Sequence, residues 1–199
     1  EINEMGGGFH ITKDFVLKSC LVLCDFEDIS FKVDNFNRTN MLKIQEEWEN
    51  ITKAIRGAVA LVAGFGFNRE NITSNNLFIP IAYYLKRIGL PDNFDSSSAF
   101  LAQRIEIKKW FTRSLLKKVF SFMPDGALKP IRELIRSHST DNHFPLQEIT
   151  ERFKGTNRSL LFTDDDISNL LWAKYGQGIT VVIMSVLYPW ADLKNHFHI

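Results

Sequence analysis

The stretch that decides the fold is TNMLKIQEEWENITKAIRGAVALVAGFG, residues 39–66. Its apolar residues recur at steps of three and four, which is the spacing of one face of an α-helix. Thr39 or Asn40 is placed to cap its start, and Gly64 and Gly66 are placed to end it. The apolar stripe comprises Met41, Ile44, Trp48, Ile51, Ile55, Val59 and Val62. This periodicity predicts one long amphipathic helix that packs against the core.

Helical periodicity continues along most of the chain, with short loops and no alternating strand pattern. The further predicted helices are 12–24, 71–89, 99–122, 127–138, 143–155, 162–176 and 178–189. Pro80 lies within the second of these, so that helix either starts late or kinks there. The helix over 178–189 is apolar throughout and is expected in the core. We therefore predict an all-α fold, an irregular multi-helix bundle of about eight helices, in a single domain over 1–199.

The composition is that of a globular protein, with 45% apolar and 24% charged residues and a formal net charge of +1. Bulk charge therefore indicates no class of partner. No targeting segment is visible, and the longest apolar run is too short to span a bilayer, so we expect a cytoplasmic protein without membrane contact. Cys20 and Cys24 are expected to be buried free thiols.

Three local patterns look like sites, and two of them have simpler structural explanations. Asp164 to Asp166 follow Thr163 in the first turn of a predicted helix, where the dipole favours anions, so capping explains them. GFGFNREN, residues 64–71, lacks the Lys-Ser/Thr of a phosphate loop and is better explained as a helix C-cap. The third pattern, His196 and His198, has metal-site spacing, but no other ligands are readable in the sequence.

Charge distribution is more informative than net charge, because basic residues are concentrated between 104 and 136. Lys109, Arg113 and Lys117 share one predicted helical stripe, with Glu106 at one end and Trp110 near that side. A basic stripe beside an aromatic ring suits a phosphate backbone. The candidate DNA-binding residues are Arg104, Lys108, Lys109, Trp110, Arg113, Lys117 and Lys118. The alternative is a solvated helix face whose acidic partners lie on neighbouring helices.

Several stretches, taken in order, are similar to one family. They are KDFVLKSCLVL, NITSNNLFIPIAYYL, IKKWFTRSLLKKVF, FKGTNRSLLFTDDDISNLLWAKYG, VLYPW and the terminal FHI. Together they resemble the middle portion of GmrSD-type restriction endonucleases, a family of prokaryotic defence proteins long classed as of unknown function. The resemblance covers nearly the whole chain, but it lies in helical packing segments and not in catalytic motifs.

The resemblance implies a parent protein with three parts. In that family a ParB-like N-terminal domain hydrolyses a nucleotide, a helical region follows, and an HNH domain cuts DNA with a divalent metal. Residues 1–30 resemble the tail of the ParB-like domain, and residues 190–199 resemble a linker toward an HNH domain. Neither the Asp-Gly-x-Gln-Arg motif of the first domain nor the Asp-His pair of the last is present. No catalytic, cofactor-binding or metal-binding residue can therefore be assigned to this chain.

The sequence leaves three functions open. The first is a non-catalytic helical module of a DNA-cutting protein, whose partners are DNA and the flanking domains of the same polypeptide. The divalent metal and the nucleoside triphosphate then belong to the parent. The second is a helical protein-interaction module with no nucleic-acid role. The third is a metal hydrolase that uses His196 and His198.

Overall fold

The computed structural model describes residues 2–138, 142–174 and 177–188, and within them the chain is all-helical. This confirms the predicted fold class, a multi-helix bundle, with nine α-helices in the described ranges where about eight were expected. The α-helices are α1 Lys13–Leu23, α2 Arg38–Glu46, α3 Trp48–Gly64, α4 Phe78–Arg87, α5 Leu101–Leu116, α6 Asp125–Ser137, α7 Leu146–Phe153, α8 Asp164–Leu171 and α9 Gly178–Leu187. Short 3₁₀ helices cover Ile2–Gly7, Val33–Phe36, Asn75–Leu77 and Ser98–Phe100.

The stretch predicted as one long helix forms two, because the chain leaves helical geometry at Glu47, which has φ −88° and ψ 1°. The predicted cap at Thr39 or Asn40 is wrong: the cap of α2 is Asn37, whose side chain accepts a hydrogen bond of 3.0 Å from the Asn40 N–H. The break also divides the predicted stripe. The stripe residues Ile51, Ile55, Val59 and Val62 are buried in α3, and Ile44 is buried in α2, whereas Met41 and Trp48 remain exposed. The stripe therefore faces the core throughout α3 but only at Ile44 in α2.

The centre of the core is the pair α3 and α4. All residues of α4 from Phe78 to Leu85 are buried, including Pro80, which lies in the first turn. The helix therefore starts late rather than kinks, because proline is tolerated where the first N–H groups have no helical partner. The two helices approach closely at Gly57, where an added Cβ would lie 3.1 Å from a methyl carbon of Leu85.

Four helices end in the same hydrogen-bonded cap, in which the residue after the C-cap is left-handed. After α3, Gly66 has φ +91°, and the Phe67 N–H donates to the Val62 carbonyl at 3.3 Å. This confirms that the GFGFNREN segment is a helix end. Gly89 takes the same role after α4, but Asp25 after α1 and Lys118 after α5 adopt positive φ as non-glycine residues.

Cationic side chains from three other helices bind the C-terminal end of α1. Lys86 donates to the Leu23 carbonyl at 2.9 Å and Lys43 to the Cys24 carbonyl at 2.7 Å. Arg132 of α6 donates to the Phe26 carbonyl at 2.7 Å. The last carbonyls of a helix carry partial negative charge and lack hydrogen-bond donors within the helix. The three cations supply both the positive charge and the missing donors.

The helix α9 departs from its prediction. It was expected in the core, but only Val182 and Ser185 are buried. It packs on α5, and Gly178 at its start lies against the backbone of Glu70. Its C-terminal end has no covering layer among the described residues, so Val186 and Leu187 are exposed.

Candidate functional site

The predicted basic residues lie on and just after α5, a helix that is buried around more than half of its circumference. Trp110 is 0% exposed, and its ring centroid lies 5.6 Å from that of Phe144 and 6.1 Å from that of Phe120. The prediction that Trp110 accompanies the basic stripe at the surface is wrong. The loops after α5 and α6 cover this side of the helix, so Trp110 contributes to the core and does not contact a nucleic acid.

Arg104 is bound within the chain. One of its guanidinium nitrogens, Nη1, donates to the Phe94 carbonyl at 2.7 Å and to the Ser97 carbonyl at 2.6 Å. These bonds hold the loop between α4 and α5 against the start of α5. Because its charge is used to satisfy backbone carbonyls, Arg104 is a structural residue rather than a phosphate ligand.

Lys117 is also bound within the chain. Its ammonium lies 2.5 Å from Oδ2 of Asp166 and 5.6 Å from the ring centroid of Phe162. The hydrogen bond from Lys117, followed by those from Thr163, lowers the pKa of Asp166 to about 2. The alternative interpretation places the acidic partners of the basic face on neighbouring helices, and this ion pair agrees with it. It removes one of the three residues of the predicted stripe from the set available to a phosphate.

Lys108 lies on another side of α5, where its ammonium is 5.9 Å from the ring centroid of Phe65. Burial lowers its pKa. An ammonium over an aromatic face is attracted by the ring quadrupole, so this contact stabilises the packing of α5 beside the end of α3. Lys108 therefore belongs to an intramolecular contact.

Three of the candidate residues keep their side chains available. Lys109 and Lys118 are exposed and Arg113 is half-buried, and within the described residues none makes a side-chain hydrogen bond or ion pair. Burial raises the pKa of Glu106, and the charge of nearby Lys109 offsets part of that shift. The structure thus reduces the candidate nucleic-acid interface from seven side chains to Lys109, Arg113 and Lys118.

The structure brings together four titratable side chains that the sequence did not indicate, Glu106, His138, His143 and Glu148. His143 Nδ1 lies 3.2 Å from Glu106 Oε2, and His138 Nε2 lies 3.4 Å from Glu148 Oε1. The imidazole centroids are 6.4 Å apart. No local pattern predicts this group, because α5, α7 and the connection before α7 each contribute part of it.

In the part of the chain that the structure describes, no three His, Cys, Asp or Glu side chains are arranged so that they could hold a metal ion together. The aspartate triplet is a helix start, as predicted: Thr163 and Asp166 form a capping box on α8. Cys20 and Cys24 are buried and free, also as predicted. His196, His198 and the predicted linker over 190–199 lie outside the described residues.

No protein-family model matches the chain, and no curated protein matches it either. Among the described residues, none of the helices combines the length and the apolar character needed to cross a bilayer.

Proposed function

We propose that this chain is a non-catalytic helical module of a DNA-cutting prokaryotic defence protein of the GmrSD type. In this proposal it links a nucleotide-hydrolysing domain to an HNH nuclease domain. The divalent metal and the nucleoside triphosphate are assigned to those flanking domains and not to this chain. The family assignment derives from the sequence resemblance, and the observation that supports the linking role is the exposed apolar surface of α9.

The sequence of α9, GITVVIMSVL, contains no charged residue, yet only Val182 and Ser185 are buried. A helix that is apolar on all sides is normally enclosed by protein. Here one side packs on α5, while Val186, Leu187 and Tyr188 remain exposed. An exposed apolar surface of this kind is typical of a docking site. We propose that the flanking nuclease domain covers this surface of α9.

The DNA contact in this proposal uses Lys109, Arg113 and Lys118. These side chains have no ion pair within the described residues, so a phosphate backbone would not have to displace an internal partner. Neutralising three phosphates makes the logarithm of the binding constant fall with the logarithm of salt concentration at a slope of about −2.7. This slope separates a three-residue contact from the larger interface that the sequence alone predicted.

The test is fluorescence anisotropy of a labelled DNA duplex at about 50 mM and about 200 mM salt. The triple variant Lys109→Glu, Arg113→Glu, Lys118→Glu should abolish binding. A control variant with the same net charge, Lys32→Glu, Arg136→Glu, Lys154→Glu, reverses exposed cations elsewhere and should retain it. Equal loss in both triple variants, or no binding at the lower salt, contradicts the DNA contact.

The linking role has a separate test in the gene. The proposal requires the reading frame to continue past Ile199 into an Asp-His pair and an HNH domain. A stop codon directly after Ile199 contradicts it. In the longer polypeptide, Leu187→Glu should weaken DNA cleavage while nucleotide hydrolysis is retained, because the substitution disrupts the docking of the nuclease domain alone.

The second candidate function is a protein-interaction module with no nucleic-acid role. It is favoured because Arg104, Lys108 and Lys117 make contacts within the chain. The basic surface available to DNA is therefore smaller than the sequence suggested. Undetectable binding to duplex DNA together with an intact α9 docking interaction would favour this function over the first.

A further inference from the structure

Two helices present the same pattern to a shared groove. In α1, Lys13 is followed by Val16 and Leu17, and in α2, Arg38 is followed by Met41 and Leu42. Each helix thus places a cation one turn before an apolar pair on the same face, at spacings i, i+3 and i+4.

The groove has two adjoining lobes: one of about 630 Å³ between α1, the segment before it and α3, and one of about 520 Å³ between α1 and α2. Both lobes are lined by Val16, Leu17 and Trp48, which join them into one depression. Lys13 lies on the rim of one lobe and Arg38 on that of the other. We call this depression, lined by these residues with Met41 and Leu42, the α1–α2 groove.

The groove is apolar and uncovered, with cations at its edges. Trp48 is 48% exposed and Leu42 is 57% exposed, although the sequence predicted Trp48 within a buried stripe. Lys13 and Arg38 are exposed and make no side-chain hydrogen bond or ion pair within the described residues. Tryptophan and methionine at the centre with cations at the rim are the features of a site that accepts an acidic amphipathic helix.

The same chain carries a helix of that description. On α8, Asp164, Ile167 and Leu171 share one face at spacings i, i+3 and i+7, and Asp165 lies beside them in the first turn. Leu171 is 81% exposed and Trp172, directly after the helix, is 84% exposed. Neither Asp164 nor Asp165 makes a side-chain hydrogen bond or ion pair within the described residues. We call the surface formed by Asp164, Asp165, Ile167, Leu171 and Trp172 the α8 face.

We propose that the α8 face of one copy of this chain binds in the α1–α2 groove of a second copy. Charge complementarity supports this choice, since the acidic first turn of α8 meets the cationic rim formed by Lys13 and Arg38. Apolar complementarity supports it as well, since Ile167, Leu171 and Trp172 meet the uncovered Trp48 and Leu42. Within one copy the capping box and the Lys117 pair hold α8 in another position, so the contact forms between copies.

This contact is head-to-tail, because the two surfaces that meet are different. The copy at each end of an assembly therefore retains one unused surface. Further copies can add there to form chains, or the two ends can meet to form a ring. One short helix buries less area than a standard interface, so the affinity of a single contact is expected to be weak, on the order of 100 µM. This proposal uses the 199-residue chain alone and does not depend on the flanking domains.

The test is sedimentation velocity on the chain and two single variants. Leu42→Glu disables the groove and Leu171→Glu disables the α8 face, and both positions are exposed, so the fold is retained. The unsubstituted chain should form a concentration-dependent series of species, and each variant alone should be monomeric. An equimolar mixture of the two should form a one-to-one dimer and nothing larger, because only one intact groove and one intact face remain per pair.

A control and a rescue complete the experiment. Val33→Glu places the same charge at an exposed apolar position outside both surfaces and should leave association unchanged. The double variant Lys13→Glu, Arg38→Glu should abolish association, and the quadruple variant Lys13→Glu, Arg38→Glu, Asp164→Lys, Asp165→Lys, in which both surfaces are reversed, should restore the concentration-dependent series. A monomeric unsubstituted chain at about 200 µM overturns the proposal. A mixture of the Leu42 and Leu171 variants that stays monomeric, or that forms larger species, overturns it equally.

Discussion

The ammonium of Lys117 lies 2.5 Å from the carboxylate of Asp166, and 49 residues separate the two along the chain. The same carboxylate accepts a hydrogen bond of 2.8 Å from the Thr163 N–H, which closes the capping box of α8. One aspartate therefore fixes the start of α8 and attaches that helix to the end of α5. It also removes Lys117 from the surface available to a partner.

Stability should depend on the ionisation of Asp166. Its pKa is lowered from 3.8 to about 2, first by the hydrogen bond from Lys117. A carboxyl whose pKa is lower in the folded state stabilises the protein fully above its unfolded pKa, and that contribution is lost as pH falls through the folded value. The difference in urea midpoint between the unsubstituted chain and Asp166→Asn should thus be largest near neutral pH and shrink below about pH 4.

The matched control is Asp165→Asn, which removes the same charge from the same turn without touching Lys117. Its midpoint should differ less from that of the unsubstituted chain. Equal effects of the two substitutions at neutral pH would mean that the helix dipole alone, rather than the pairing with Lys117, accounts for the role of Asp166.

Replacing Lys118 by glycine should stabilise the protein. Lys118 has φ +52° in the cap after α5, where its Cβ is unfavourable and glycine is not. Lys118→Gly should raise the free energy of unfolding by about 1 kcal/mol, measured by urea denaturation. Lys118→Ala removes the same charge but keeps a Cβ, so it should give no such gain. Stabilisation by both variants would assign the effect to charge.

Replacing Gly178 by alanine should displace α9. A methyl group at this position would overlap the carbonyl oxygen of Glu70, which is backbone and cannot rotate away. Overpacking of this kind costs about 2 kcal/mol, and it should appear as a lower thermal midpoint and increased binding of an apolar dye. The control is Gly64→Ala, where an added Cβ meets nothing within 4 Å. That change should be neutral or stabilising by about 0.5 kcal/mol, since glycine lowers helix stability.

The two thiols should react only when the protein unfolds. Burial raises the pKa of Cys20 to about 12 and also raises that of Cys24. The thiolate is the form that attacks a disulfide reagent, and the raised pKa values make it scarce in the folded protein at pH 8. Labelling with a chromogenic disulfide should be slow in buffer and should accelerate with urea along the unfolding curve. Rapid labelling of either cysteine in buffer would show that α1 opens locally.

Features with local causes were predictable from the sequence. The cap at Thr12 and the capping box at Thr163 depend on residues three positions apart, and both are present. The glycine ending of α3 is present for the same reason, since a left-handed residue there requires no distant contact. The extent of the candidate interface was not predictable, because Lys117 is bound by α8 and Lys108 contacts the end of α3, and the sequence of α5 indicates neither partner.

Trp110 and Trp48 show most clearly that helical spacing does not predict which side chains are buried. The helical spacing of the sequence placed Trp48 in a buried stripe and Trp110 beside a basic one, and the structure reverses both assignments. Periodicity gives the angle between side chains around a helix, but not which parts of the circumference other elements cover. Phe120 and Phe144 cover Trp110, while the break at Glu47 leaves Trp48 in the α1–α2 groove, where it lines both lobes.

The sequence by itself determined that this chain is all-helical, because apolar spacing, caps and glycine endings act within one or two turns. Tertiary structure alone decided which charged and aromatic side chains remain accessible. Arg104 and Lys117 are bound by groups that the sequence places elsewhere, whereas α8 presents acids and apolar residues with no covering layer in the described chain. The physical reason is that accessibility depends on contacts between distant segments, which local patterns do not encode.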